Sequence, residues 1–242
     1  MVTYGKPIQQ APGLMVMWGD KSSCTVNPKH NLSAFLEEKE KTRQEYGLQA
    51  LWFFKQEHTV NGRIITAQAT AGTYYIVDED GDYFITDQPN VGIAVGTADC
   101  LPIVFYDPVA SVVAVAHAGW KGSVQGIAPI VLRQLQQRFG TQLENVHVSF
   151  GPHAKQCCYE VAPDFETNLF NQFVPAVIEH RDEKRFFSNV RYNQLLLLSA
   201  GLQESQMHSD VALCTMCEGN FHSRRVDGPA YIGQATIAWL QL

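Results

Sequence analysis

The chain has 242 residues, 45% of them hydrophobic and 17% charged, with a net charge of −6 and a pI near 5.7. That acidic balance argues against a nucleic-acid partner, which would require a basic face. No apolar run reaches the roughly 18 residues of a transmembrane helix, so no membrane partner is expected. The segment Met1 to Pro12 carries Lys6 and lacks an apolar stretch of signal-peptide length, so a cytoplasmic location is expected. In a reducing compartment the cysteines at 24, 100, 157, 158, 214 and 217 are expected to be thiols, metal ligands or a nucleophile rather than disulfides.

Asn31 to Tyr46 is rich in Glu and Lys, with Leu32, Phe35 and Leu36 on one side. It reads as an exposed amphipathic helix whose charges serve solvation. Leu51 to Lys55 is a short apolar strand, and Gln56-Glu57-His58 follows at its end. Thr73 to Val77 and Tyr83 to Thr86 read as strands around an Asp78 to Asp82 turn, and Val91 to Val95 as a buried strand. Leu101 to Tyr106 and the Val-rich Ser111 to Ala116 form a hairpin about Pro108 and Val109. The period then switches. Ser123 is a candidate N-cap, Ile127, Ile130, Val131 and Leu135 follow at helical spacing, and Gly140 closes the helix. Val146 to Phe150 reads as a strand, Pro163 to Phe173 and Asn193 to Gly201 as helices, Cys214 to Arg225 as irregular chain, and Tyr231 to Leu240 as a C-terminal helix. No Pro/Gly/Ser-rich linker or repeat interrupts residues 1–242. One α+β domain is expected, a mixed sheet with helices on its faces.

The hairpin places Cys100 directly opposite His117, with Cβ atoms about 5 Å apart. A thiolate and an imidazole at that distance can share a zinc ion or act as nucleophile and base. His58, Cys100 and His117 all sit where an apolar strand gives way to a loop. Together they make a three-ligand set with the fourth position open. Asp99 at the strand end is a candidate to orient a ligand histidine. Ala118-Gly119-Trp120-Lys121-Gly122, ahead of a helix, could bind an anion through backbone N–H groups and Lys121. Arg224 and Arg225 suit a phosphate or carboxylate clamp. Cys214 and Cys217 form a C-x-x-C pair followed by His222. Cys157 and Cys158 could complete a four-ligand site but are not a second clean pair, so reduced thiols are the expectation.

Four segments taken together resemble the YfiH family, long labelled multicopper polyphenol oxidase or laccase-domain proteins. They are Thr97 to Cys100, Ala116 to Gly122, Gly151-Pro152 through Cys158-Tyr159-Glu160-Val161, and Cys214-Thr215 through His222-Ser223-Arg224-Arg225. The Gln-x-His that supplies the family's third metal ligand matches Gln56-Glu57-His58. The resemblance implies a fold shared with the cytotoxic necrotizing factor catalytic domain and zinc held by His58, Cys100 and His117. It implies purine nucleoside phosphorylase activity, with adenosine deamination and methylthioadenosine cleavage. Asp99, Cys100 and His117 would be catalytic, and Lys121 and Arg225 would hold substrate phosphate. Trp120 or Tyr159 would stack on the base. Older labels imply copper, and bacterial members are linked to peptidoglycan editing, which would suit a cysteine hydrolase or amidase built on Cys100 and His117. A multicopper oxidase is poorly matched, because the eight histidines include no His-x-His pair. The chain departs from the family near Met17 to Lys21, which lacks an arginine and a double glycine, and at Gly233-Gln234, where the family has Gly-Arg. Lys21, Lys121 and Arg225 are the cations expected to compensate. The oligomeric state stays open.

Overall fold

The computed structural model describes residues 3–66 and 70–241. In chain order its elements are β1 (Pro7–Ala11), β2 (Leu14–Trp18), α1 (Leu32–Glu45), β3 (Ala50–Lys55), β4 (Gly62–Ile65), β5 (Gly72–Asp80), β6 (Tyr83–Thr86), β7 (Val91–Thr97), β8 (Leu101–Asp107) and β9 (Val112–Ala118). They continue with α2 (Trp120–Val124), α3 (Ile127–Phe139), β10 (His147–Phe150), β11 (Glu160–Val161), α4 (Val174–Val177), β12 (Ile178–Arg181) and β13 (Lys184–Phe187). α5 (Asn189–Ser199), β14 (Met207–His208), α6 (Arg224–Asp227) and β15 (Gln234–Leu240) complete the chain.

The α+β class read from the sequence holds, and the sheet is built in pieces. One six-stranded sheet runs β1-β2-β15-β7-β3-β5, a second runs β14-β10-β8-β9-β6-β4, and a small one runs β11-β13-β12. Strand alternation explains the stacking. On β8 and β9, Leu101, Ile103, Phe105, Val112, Ala114 and Ala116 pack with Ile127, Val131, Leu135 and Leu197 of the helices. Val104, Val113 and Val115 face the other way, onto Val16, Ile93 and Val95 of the first sheet. The outer face of that sheet, with Leu51, Phe53, Ile237 and Trp239, meets Phe35 of α1. The order of layers is therefore helix, sheet, sheet, helices. Cys100 and His117 share the parity of the residues between the sheets.

The hairpin register differs from the expected one by two residues: His117 pairs with Pro102, and Leu101 with Ala118. The Asp107 carboxylate accepts from Val109 N at 2.8 Å and Ala110 N at 3.0 Å, which stretches the turn to Pro108–Ser111. A slip of two keeps every side chain on its face, so Cys100 and His117 still share one.

Four further expectations are corrected. Tyr231 to Leu240 is not a helix: Gln234–Leu240 is a strand between β2 and β7, buried along its length. A strand covered on both faces reads as a continuous apolar run and loses its period of two. Pro163 to Phe173 is not a helix but two single 3-10 turns, Phe165–Asn168 and Asn171–Phe173. Phe165, Leu169 and Phe173 do share one cluster, so the apolar spacing marks a buried face although the backbone breaks at Leu169, with φ −98 and ψ 158, between the two turns. Ser123 is no N-cap; it lies inside α2, and Gly126 precedes α3. α1 forms as read, capped by Asn31 accepting from Ala34 N at 3.0 Å, but Lys39 is fully buried. Its ammonium donates to Ser23 O at 2.8 Å and to Glu38 Oε1 at 2.6 Å.

Candidate metal centre and adjoining cavity

Cys100 stands immediately before β8 and His117 near the end of β9. The two-residue offset makes them diagonal neighbours on the inter-sheet face. His58 arrives from the other sheet. At the end of β3 the Gln56 amide donates to Gly96 O at 2.9 Å and accepts from Gly96 N at 2.7 Å. This side chain ties the chain to β7 just past the strand pairing, and the backbone then turns at His58 with φ 62. Left-handed backbone at a non-glycine residue persists only where its surroundings impose it.

Asp82 imposes it. Its carboxylate is fully buried and accepts from His58 N at 3.1 Å, Thr59 N at 2.6 Å and Thr59 Oγ1 at 2.8 Å. The same carboxylate holds His117 Nδ1 at 2.7 Å. With Nδ1 so engaged, Nε2 of His117 is left for Cys100. Asp99 is engaged elsewhere: it accepts from Thr215 Oγ1 at 2.7 Å and from Arg225 N at 2.9 Å. The carboxylate that orients a ligand histidine is thus Asp82, which precedes a short strand and was read only as the end of a turn.

The donor atoms of His58, Cys100 and His117 all lie within 4.8 Å of one another. Cys100 Sγ is 3.6 Å from His58 Nε2, and the two imidazoles meet edge to face at 4.8 Å. Two nitrogens, one sulfur and a carboxylate behind one ring fit a divalent metal with an open position. Burial alone would raise the Cys100 thiol, but His117 and His58 outweigh it and bring the thiol down to about 6. Burial would lower His117; the Cys100 thiolate and Asp82 together lift it to about 10. Without metal, the pair is thiolate and imidazolium.

The three residues form part of the wall of a cavity of about 280 Å³. Phe53, Tyr75 and Tyr231 give it an aromatic lining, and Lys29 and Arg224 bring positive charge. Thr97 also lines it, and its buried hydroxyl has no hydrogen-bond partner.

Other sequence candidates lie outside this lining. Lys121 is exposed, with its ammonium 5.8 Å from the Trp120 ring, and Trp120 packs on Phe165. Arg225 donates to Glu160 O at 2.7 Å and stacks 4.7 Å from the Tyr159 ring. Lys21 pairs at 4.0 Å with Asp227. Of the arginine pair, Arg224 is the one on the cavity. Gln234, where the family has arginine, is buried and uses its amide on the backbone of His222, accepting at 2.7 Å. Among the described residues no helix is long and apolar enough to cross a membrane.

Residues 22–241 match the family model described as multi-copper polyphenol oxidoreductase laccase. The chain is 33% identical over 157 residues to the mouse protein "Purine nucleoside phosphorylase LACC1", a match covering 62% of this chain and 36% of the mouse one. It is 31% identical over 154 residues to "Adenosine deaminase RL5" from an unknown prokaryotic organism, covering 61% of this chain and 58% of the other. The crystal structure of the Bacillus licheniformis hypothetical protein YfiH superposes with a TM-score of 0.79 at 24% identity, covering 98% of this chain and 100% of that one. That likeness establishes the fold.

Proposed function

Because the chain belongs to the multi-copper polyphenol oxidoreductase laccase family, we propose that it is a zinc-dependent purine nucleoside phosphorylase that also deaminates adenosine and cleaves methylthioadenosine. The observation that carries this reading is a single cavity whose wall combines His58, Cys100 and His117 with aromatic rings and two cations. The names of the relatives support the same substrate class.

His58, Cys100 and His117 would hold the zinc ion, which when bound supplies a Lewis acid and a water of lowered pKa. Asp82 keeps His117 in the tautomer that presents Nε2. Phe53, Tyr75 and Tyr231 supply apolar surface for a purine ring. Lys29 and Arg224 neutralise the phosphate whose oxygen bonds to ribose C1′ as the C1′–N9 bond breaks. Asp99 and Arg225 act on the site indirectly, through the backbone beside Cys100.

The test is zinc-loaded protein with adenosine, inosine or methylthioadenosine, with and without phosphate, followed by chromatography. Free base appearing only with phosphate, and inosine formed from adenosine, are expected. No product from any of these would overturn the reading. A second reading, a cysteine hydrolase or amidase acting on a peptidoglycan precursor, draws on the thiolate and imidazolium character of Cys100 and His117 without metal. It requires that zinc suppress rather than support turnover.

A further inference from the structure

The other four-cysteine grouping is not absorbed by this chemistry. Cys157 and Cys158 lie in the turn after β10, and Cys214 and Cys217 in the irregular segment before α6. Sequence spacing gave no second clean pair, but the fold brings adjacent cysteines to face the C-x-x-C. All four sulfurs lie within 4.8 Å of one another. Cys217 Sγ is 3.1 Å from Cys158 Sγ and 3.6 Å from Cys157 Sγ. Zinc–sulfur bonds of about 2.3 Å in a tetrahedron set sulfur–sulfur edges of roughly 3.8 Å, so closure needs shifts of well under 1 Å for these pairs. All four cysteines are free thiols.

The backbone closes a turn over Cys214 to Glu218. Cys217 N and Glu218 N donate to Cys214 O at 3.2 and 3.0 Å. His153 N donates to Leu213 O at 3.1 Å and Thr215 N to His153 O at 3.0 Å, so the two cysteine-bearing segments are fixed against each other. Four sulfurs this close can be thiolates together only with a cation among them. Among biological ions, an all-sulfur tetrahedral set selects zinc or iron.

We propose that Cys157, Cys158, Cys214 and Cys217 form a second metal site, a closed structural zinc centre distinct from that of His58, Cys100 and His117. Its position gives it a task. Thr215, inside the C-x-x-C, holds Asp99, the neighbour of Cys100, at 2.7 Å. Tyr159, next to Cys158, carries Arg225, whose backbone N–H holds the other Asp99 oxygen at 2.9 Å. A clamp between the cysteine segments therefore fixes the backbone that presents Cys100.

The experiment counts zinc on protein purified without chelator, with cobalt substitution read by absorption. Two zinc ions per chain are expected in the wild type, one in Cys100→Ser, and one in the double variant Cys157→Ser/Cys217→Ser, whose altered positions are both exposed. Cobalt-loaded Cys100→Ser should keep the intense bands of a tetrathiolate, whatever becomes of the double variant's folding. Loss of all zinc in Cys100→Ser overturns the proposal, as does finding these four cysteines in disulfides or filled with iron. Because Cys100→Ser removes only the first centre, failure of the nucleoside reading leaves this result unchanged.

Discussion

Replacing Gly119 with alanine tests whether His58 belongs to the metal centre. Gly119 has φ −65 and ψ 162, which alanine adopts without strain, so backbone freedom is not what the glycine provides. It provides space. A Cβ there would lie 2.4 Å from His58 Cδ2 and 3.2 Å from both Cys100 Sγ and His58 Nε2. Carbon atoms in contact sit at about 3.5–4.0 Å, so the ring must withdraw by roughly 1 Å. Metal sites tolerate ligand displacements of about 0.2 Å, so His58 is lost as a ligand. A lost ligand should cost more than a lost supporting hydrogen bond, which is worth 10- to 100-fold, so zinc affinity is expected to fall by at least about 100-fold. The assay is competition against a chromophoric chelator, with urea unfolding alongside; the midpoint should move little, because no core atom is removed. His58→Ala should show the same loss, and the double variant no further loss, since both changes act on one contact. If Gly119→Ala binds zinc within about threefold of wild type, under 1 kcal/mol, His58 is not a ligand.

Asp82→Asn, which leaves four donors facing one oxygen and an amide, should cost about 3–5 kcal/mol in urea unfolding and lower zinc affinity 10- to 100-fold; an unchanged midpoint would remove Asp82 from its supporting role. In metal-free protein, alkylation of Cys100 should follow its thiolate fraction, rising with pH through an inflection near 6 and level above it; peptide mass spectrometry after iodoacetamide reads this, and an inflection near the ordinary thiol value of about 8.5 would refute the pairing with His117. Arg224→Ala should raise the KM for phosphate several-fold and leave zinc content intact, while Arg225→Ala should act mainly on kcat; equal effects on phosphate KM would contradict the cavity assignment. Lys39→Met should lower stability by about 1–3 kcal/mol in urea, because Ser23 O loses its donor; no change would mean that the loop it holds is anchored by other contacts.

What the sequence made legible follows its strongest local patterns. The β8–β9 hairpin was read with the wrong register but the right parity, and parity is what places Cys100 and His117 together. The long-range pieces were legible only through the family resemblance: nothing near His58 says that it joins the other two. Asp82 was hidden by its neighbours, an acidic turn that reads as solvated loop. A signal existed. β6 pairs with β9, Tyr83 opposite Ala116, and extending that ladder by one residue puts Asp82 beside His117, whose N–H donates to Asp82 O at 2.7 Å. Reading Tyr83 to Thr86 as the partner of β9 rather than of Thr73 to Val77 would have exposed the contact. β15 was misread for the opposite reason, because burial on both faces erased the alternation that marks a strand.

The two readings of the first centre are states of the same atoms, and the geometry says what divides them. Cys100 Sγ faces His58 Nε2 at 3.6 Å, and Asp82 occupies His117 Nδ1. In the metal-free state His117 keeps a second proton at Nε2 because the thiolate and carboxylate flank it. A metal needs that nitrogen's lone pair, so metal and proton compete for it, and loading must release the proton. A nucleophilic Cys100 needs the opposite, an uncoordinated sulfur. The enzyme that uses Cys100 as nucleophile is therefore inhibited by the ion that the phosphorylase requires, and turnover measured against zinc occupancy, with Cys100 alkylation followed in the same samples, separates them by sign. Asp82 serves both states alike, so its loss cannot discriminate. Gly119 bears on the metal-bound state first: a Cβ there meets His58 Cδ2 at 2.4 Å and Cys100 Sγ only at 3.2 Å, so His58 must move furthest.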